Sequence, residues 1–362
     1  ATTRPATPGT TFRCAAGHAV AQQEDGWVAV GASIPYWGEL PRENMLRLLQ
    51  AARSEGWRQA VRHQLAPELA GYIGGRERAD FEALLPLAPE ARVLDVGAGW
   101  GGIAAILARR YEVIALEGVR ERAEFIAVRG SQDKLERLTV VQGDIHSVPL
   151  LPGQFDLIVA NGMLEWSALL DTGAPVRAVQ MRFLHRLHNL LAPGGMIYLA
   201  IENRFGLAAL RGARDHSGLS YTSLLPRPLA RWVCSRHSQY RAQTNRGYRT
   251  YTYSLRGYRR LFAQAELQPE AVWFCPRGYN LPVKLVPIAT APLAFCCGRA
   301  AAMPAATDWR RRLRQAALRG GAMRWLASDF AFVLRPQAVG RSPFPMPSSH
   351  EARTPCTSLS GS

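Results

Sequence analysis

Lysine is almost missing from this chain of 362 residues: Lys134 and Lys284 are the two present, and the other 42 of its 44 cationic side chains are arginine. Exchange on that scale follows either from genomic base composition or from selection for an anionic partner, and both stay open. Closely spaced cysteine pairs are missing too. Cys14, Cys234, Cys275, Cys296, Cys297 and Cys356 form neither CxxC nor CxxxCxxC, which removes the ligand set of a radical iron–sulfur centre. Cys14 and His18 have ligand-like spacing, but no second pair follows in the N-terminal segment, so no metal is expected. The longest apolar stretch, 281–297, is broken by Lys284 and three prolines, too interrupted for a span of about 20 apolar residues. The opening ATTRPATPGT lacks the apolar core of a secretory signal. These absences predict a reduced, cytoplasmic setting.

Acid is scarce in the second part of the chain. Residues 1–210 hold 21 basic and 22 acidic side chains, whereas 211–362 hold 23 basic and 6 acidic, so the net +16 resides there. Such a surface attracts phosphates, nucleic acid or an anionic membrane face, and placement at the inner face of the membrane follows as an option. With 48% hydrophobic and 20% charged residues, a sizeable core can form.

What is present is an α/β alternation. PRENMLRLLQAARSEGWRQAVRHQL (41–65) predicts a helix with Met45, Leu48, Leu49 and Ala52 on one face. A second helical stretch follows at 78–89. Apolar runs at 91–96, 112–116, 138–143, 155–160 and 195–202 read as strands, with amphipathic helices at 101–110, 119–130 and 175–191 between them. A parallel sheet buried on both faces requires such runs. After Asn203 the alternation stops for about fifty residues. It resumes with a helix at 254–267 capped by Ser254 and two closing strands at 270–275 and 330–336. An arginine-rich helical segment at 308–319 separates those strands. Five parts are expected: an N-terminal helical lid (1–89), a ligand-binding core (90–202), an acceptor-binding insertion (203–253), a C-terminal completion of the sheet (254–336) and a disordered tail (337–362).

The densest motif is VLDVGAGWGG (93–102), a strand running into a glycine turn that opens a helix. Gly97, Gly99 and Gly101 let the backbone approach a ligand closely. GAGWGG also satisfies the dinucleotide fingerprint GxGxxG, but Asp95, two residues earlier, opposes a pyrophosphate and suits a cation or an amine. Glu117 ends the second strand, 22 residues after Asp95, where a carboxylate accepts both hydroxyls of a ribose. Asp144 ends the third strand, where a side chain can face an adenine amino group.

With LAPGG (191–195) leading into the fifth strand, residues 90–202 resemble a class I S-adenosylmethionine (SAM)-dependent methyltransferase. The resemblance implies a Rossmann-like, mostly parallel seven-stranded sheet with helices on both faces. It also implies SAM as donor and S-adenosylhomocysteine as product. Carried over by position, Gly97, Gly99 and Gly101 shape the cofactor loop, Gly118 is a further cofactor-binding residue, and Asp95 lies near the methionine amine. Glu117 lies near the ribose, Asp144 with Ile145 near adenine, and Asn161 on the methyl-transfer side. YWGELPRE (36–43), IENRFGLAALRGARDHSG (201–218) and TYSLRGYRRLFAQAEL (252–267) further resemble a bacterial methyltransferase group found beside cell-surface glycan assembly enzymes. That likeness gives Tyr36 and Trp37 a lid role over the cofactor; an aromatic plug for the core is the alternative.

An alcohol acceptor needs a base. His216 is the first expectation for it and Glu165 the second, with Arg204, Tyr221, Tyr251 and Tyr253 as acceptor-binding residues of the insertion. ANGMLEW (160–166) lacks the Pro-Pro-aromatic motif of nucleobase amine methylation. Between 231 and 262 arginines alternate with aromatics, which suits bases and phosphates or a solvated surface over core rings. The expected activity is O-methylation of a small-molecule or glycan hydroxyl, the acceptor bearing a phosphate or not. An RNA or nucleotide methyltransferase and a non-catalytic SAM-binding adaptor are the alternatives.

Overall fold

The computed structural model describes residues 11–13, 19–23, 26–30, 34–169, 171, 173–237, 248–276, 278–282, 284–289, 292, 321 and 323–337. The arginine-rich segment at 308–319, Cys14 with His18, Tyr240, Arg241, Arg246 and the tail beyond 337 lie outside these residues.

Three short strands come first: β1 (Thr11–Arg13), β2 (Ala19–Gln22) and β3 (Val28–Val30). The apolar runs then become β4 (Arg92–Val96), β5 (Glu112–Glu117), β6 (Leu138–Gln142), β7 (Phe155–Asn161) and β8 (Leu191–Glu202). After the insertion come β9 (Leu267–Phe274), β10 (Val286–Pro287) and β11 (Asp329–Pro336). Among the described residues these form one sheet of eleven strands, ordered β1-β2-β3-β6-β5-β4-β7-β8-β11-β9-β10. The expected seven-stranded sheet is its centre, β6-β5-β4-β7-β8-β11-β9, in which β11 runs antiparallel to both neighbours. The additional edge strands were not legible because they are only two to four residues long.

Strand order reverses at β4, which pairs with β5 on one side and β7 on the other. In open α/β sheets, ligands bind at such a reversal, beyond the C-terminal strand ends. Both sheet faces are covered. Leu94, Val96, Ile158, Ile197 and Leu199 pack with Phe183 and Leu187 of α6 (Val176–Leu190) and Tyr258 and Phe262 of α9 (Leu255–Gln264). Val93, Val113, Leu157, Val159 and Tyr198 pack with Ile103 and Leu107 of α4 (Gly102–Leu107) and Ala123 and Ile126 of α5 (Arg120–Gln132). Alternate side chains of one strand point to opposite faces, so a strand covered on both sides is apolar throughout.

The single helix predicted over 41–65 is two, α1 (Arg42–Glu55) and α2 (Trp57–Gln64). Gly56, at φ 94°, breaks it with a backbone turn that other residues rarely adopt. Met45, Leu48, Leu49 and Ala52 are buried as the pattern predicts, against Trp100, Phe125 and Val128. Each such leucine contributes roughly 1.5–3 kcal/mol. α3 (Pro67–Gly74) and a 3-10 stretch, Arg76–Leu84, complete this layer. Among the described residues of the insertion are two α-helices, α7 (Leu207–Leu210) and α8 (Arg227–Arg236).

Candidate active site

A cavity of about 560 Å³ opens at the C-terminal ends of the parallel strands, inside the roughly 300–1,000 Å³ range of small-molecule sites. One end is the turn after β4. Gly97 and Gly101 have φ of 69° and 70°, and a Cβ at Gly97 would stand 2.5 Å from Met163 Sδ. Gly97 and Gly99 line the cavity; Gly101 does not, and its Cβ position faces Ile126 of α5. Glu117, at the tip of β5, ties the turn down. Its carboxylate accepts the N–H of Gly99 at 2.7 Å and of Val119 at 2.9 Å. Burial raises its pKa, while the Arg122 guanidinium and these N–H groups oppose that rise.

Asp95 stands elsewhere than expected. It points beneath α4, is 2% exposed and is absent from the cavity wall. Burial lifts its pKa to about 7 against the pull of Arg78 and the Ala104 N–H. Strand alternation explains this: Asp95 shares the α4-covered face with Val93. Arg78 stands on the wall instead, its guanidinium 4.0 Å from the Tyr72 ring centroid.

Further along, Gly118, Asp144, Ile145 and Asn161 line the cavity. Asp144 accepts the His146 N–H at 2.8 Å, and Asn161 donates to Asn280 at 3.2 Å. Tyr36 and Trp37 also stand on the wall. The Tyr36 hydroxyl donates to the Leu40 carbonyl, and Glu39 joins the Arg122 guanidinium and the Trp100 indole N–H. This leading segment is thereby fastened to α5.

The far end of the cavity is an acid–base cluster. His216 Nε2 lies 3.1 Å from Glu202 Oε2 and 3.5 Å from Glu165 Oε1. Tyr279 donates its hydroxyl to Glu202 at 2.7 Å. His216, Glu202 and Tyr279 line the cavity; Glu165 is fully buried behind them. Burial alone lowers the pKa of His216, but the two carboxylates override it and push it up to about 11. Glu165 is raised to about 7, by burial and then by the Glu202 charge. Burial also raises Glu202, but His216 and the Tyr279 hydroxyl outweigh it, and the net direction is down. Trp166 meets the His216 ring at 4.5 Å and Trp37 at 4.6 Å, giving this end an aromatic wall.

The four acceptor-binding residues expected in the insertion do not reach the cavity. Arg204 gives its guanidinium to the carbonyls of Ser223 and Leu225, each at 2.7 Å. Tyr253 donates to Gln180 at 2.7 Å, and Tyr251 lies under Arg227, 4.1 Å from ring centroid to guanidinium. Tyr221 is half exposed beside Gly212. Arg249 likewise bonds the carbonyls of Ala168 and Ala174 at 2.8 Å, and that of Asp171. Within the described part of the arginine–aromatic alternation, Arg249 is therefore internal scaffolding, whereas Arg231, Arg236, Arg256, Arg259 and Arg260 are exposed. An irregular segment leaves carbonyls without ladder partners, and arginine donors satisfy them. Asp215 takes the Ser217 N–H and hydroxyl.

Glu202, Tyr279, Trp166 and Arg122 escaped the sequence reading. Glu202 carried the same signal as Glu117, a carboxylate at the tip of a buried parallel strand.

A reversed strand slotted between β8 and β9, a glycine turn at the β4 tip and carboxylates at and after the tips of β5 and β6 are the features of the class I methyltransferase fold. Residues 94–199 match the family model described as a methyltransferase domain. Trans-aconitate 2-methyltransferase of Deinococcus radiodurans is 36% identical over 122 residues, 34% of this chain and 42% of that protein. Malonyl-[acyl-carrier protein] O-methyltransferase of Geobacter sulfurreducens is 42% identical over 117 residues, 30% of this chain and 43% of its own. The solved phosphoethanolamine N-methyltransferase 2 of Haemonchus contortus aligns over 91% of this chain and 71% of its own, at 13% identity and a TM-score of 0.43. The chain spans 42% and 63% of the first two curated relatives it matches. Residues 94–199 thus carry a methyltransferase domain.

The cavity residues fit SAM as the methyl donor. Two N–H bonds leave lone pairs on Glu117 for ribose hydroxyls, since a carboxylate has about four acceptor sites. At Gly99 the space of a Cβ is open, its nearest atoms 3.9 Å away. No helix among the described residues is long and apolar enough to cross a membrane.

Proposed function

We propose that the protein transfers the methyl group of SAM to an uncharged hydroxyl of a small-molecule or glycan acceptor. The observation that carries this reading is the continuity of one cavity from Glu117 and the glycine turn to the Glu202–His216 cluster. When bound, SAM supplies an electrophilic methyl group. Gly97, Gly99, Glu117, Gly118, Asp144 and Ile145 are the residues that would hold it, with Asn161 toward the transfer side.

The names of two relatives speak for trans-aconitate and for an O-methylated malonyl-acyl carrier protein, which supports an oxygen acceptor. Charge separates this chain from an acidic one. The cluster sets two carboxylates against one imidazolium, and Arg122 on the wall is engaged by Glu39. A carboxylate or phosphate beside Glu202 would be repelled, so a phosphate-bearing acceptor keeps that group away from the cluster. Tryptophan faces with carboxylates and amides suit a polyol or an aromatic alcohol.

His216 holds its proton at neutral pH, so the base role expected of it passes to Glu202. The acceptor hydroxyl gives its proton to the Glu202 carboxylate. The His216 Nε2–H then turns toward Glu165, whose charge balances the imidazolium. This needs Glu165 ionised. Turnover therefore rises with pH through about 7 and levels off above it, because below that value Glu165 is protonated and the surplus negative charge is gone.

Incubating acceptor pools with labelled SAM and reading mass shifts tests the activity. Once an acceptor is found, Glu202→Gln lowers kcat by roughly 10²–10⁴-fold and leaves S-adenosylhomocysteine affinity unchanged; wild-type turnover in that variant would overturn the base assignment. Binding of the cofactor without release of S-adenosylhomocysteine for any acceptor in the pools would favour an adaptor.

A further inference from the structure

The insertion exposes a cluster in sequence of large apolar side chains. Five of the large hydrophobic side chains most exposed among the described residues fall within 28 residues of chain: Phe205 (41%), Leu210 (46%), Tyr221 (50%), Leu229 (43%) and Trp232 (53%). α8 shows why this is unusual. A surface helix normally turns its apolar stripe inward and its polar face outward. In α8, Ala230 and Cys234 are buried, one turn apart. Leu229 and Trp232, three residues apart and so on a common face, point outward with Arg236. The Arg236 guanidinium lies 4.2 Å from the Trp232 ring centroid. α7 and the turn Thr222–Leu224 pack together, and that turn packs on α8, so the exposed side chains belong to one contiguous substructure.

Charge selects what covers this face. Residues 203–237 hold six arginines and one acidic residue, Asp215. Arg204 and Arg227 turn inward to carbonyls, and Asp215 is occupied by Ser217. Arg211, Arg214, Arg231 and Arg236 remain exposed beside the apolar side chains. A second copy of this chain, meeting the same patch about a two-fold axis, would bring those cations against their own kind. Nucleic acid offers phosphates and stacking bases but no apolar medium for Leu210 and Leu229. An anionic bilayer offers both: headgroup charge for arginine and an acyl boundary for leucine, phenylalanine and tryptophan.

We infer that the α7–α8 face of the insertion docks on an anionic lipid surface, placing the protein peripherally on a membrane. This goes beyond the methyl-transfer reading and does not depend on it. The same insertion contributes His216 to the cavity wall.

The test is flotation of the full chain with vesicles of phosphatidylcholine alone and of phosphatidylcholine with phosphatidylglycerol. Binding to the anionic vesicles is expected, with little to the neutral ones, and it weakens as salt rises. The double variant Leu229→Ser/Trp232→Ser loses at least tenfold in vesicle affinity, and Arg231→Glu/Arg236→Glu loses a similar amount. Both retain the wild-type melting temperature, because the altered side chains are exposed. Undiminished vesicle binding by Leu229→Ser/Trp232→Ser would overturn the proposal, since the charge of the rest of the chain would then account for it. So would failure to bind anionic vesicles, concentration-dependent dimerisation abolished by the same variant, or RNA binding abolished by it.

Discussion

Glu117 serves two masters: it holds the backbone of the glycine turn and faces the cavity. Removing its carboxylate in Glu117→Ala strips the Gly99 and Val119 N–H groups of their acceptors. Each unsatisfied donor costs about 1–3 kcal/mol. We expect S-adenosylhomocysteine affinity to fall at least tenfold by calorimetry, together with a lower melting temperature. Glu117→Gln keeps one acceptor oxygen and falls between the two. Glu117 was legible because a carboxylate at a strand tip, after a glycine turn, has a short list of uses. Its counterpart Glu202 was not, because its partners come from distant parts of the chain: His216, Tyr279 and Glu165. A single sequence carries strong signals for neighbours along the chain and weak ones for neighbours across the fold. Asp95 shows the opposite error, a carboxylate near the motif whose strand parity turns it away from the ligand.

At the level of elements, the parallel strands were readable because burial on both faces leaves few polar positions, and their observed bounds lie close to the predicted ones. β8 begins earlier than its apolar run, at Leu191, which pairs with Phe155 of β7 before a register shift carries the ladder on to Met196. The Ser254 cap of α9 is present, accepting the Gly257 N–H at 3.3 Å. Ser254→Ala should cost about 1 kcal/mol, read as a shift of the urea midpoint at constant slope. Gly56→Ala should cost more, roughly 1–3 kcal/mol, because alanine resists φ 94° and nothing else at that site crowds a Cβ within 3.9 Å. The insertion was the least legible element. Its arginines were read as contacts for phosphates and bases or as a solvated surface, whereas Arg204, Arg227 and Arg249 hold carbonyls of a segment with little regular structure.

Across the whole molecule, three carboxyls share one behaviour. Burial raises Asp95, Glu165 and Asp329 to about 7 each. A carboxyl raised in the folded state binds its proton more tightly there than in the unfolded chain. Its contribution to stability is therefore full below the unfolded value near 4 and is lost as pH rises through about 7. His216, raised to about 11, acts in the same direction above its unfolded value near 6.5. Melting temperature should fall by several degrees between pH 5.5 and pH 8.5, followed by calorimetric scans; Asp329→Asn should flatten part of that slope. A melting temperature that rises over the same interval would contradict these environments.

β11 has a consequence for synthesis. It is the last strand of the described chain, yet it lies between β8 and β9 rather than at an edge. Its start pairs Asp329 with Glu202, and the Asn203 side chain donates to the carbonyls of Trp325 and Ala327 at 2.7 Å. A nascent polypeptide emerging from the ribosome can thus assemble the donor half early. The wall bearing Glu202 stays an open seam until residues 325–336 have cleared the exit tunnel and threaded into the gap.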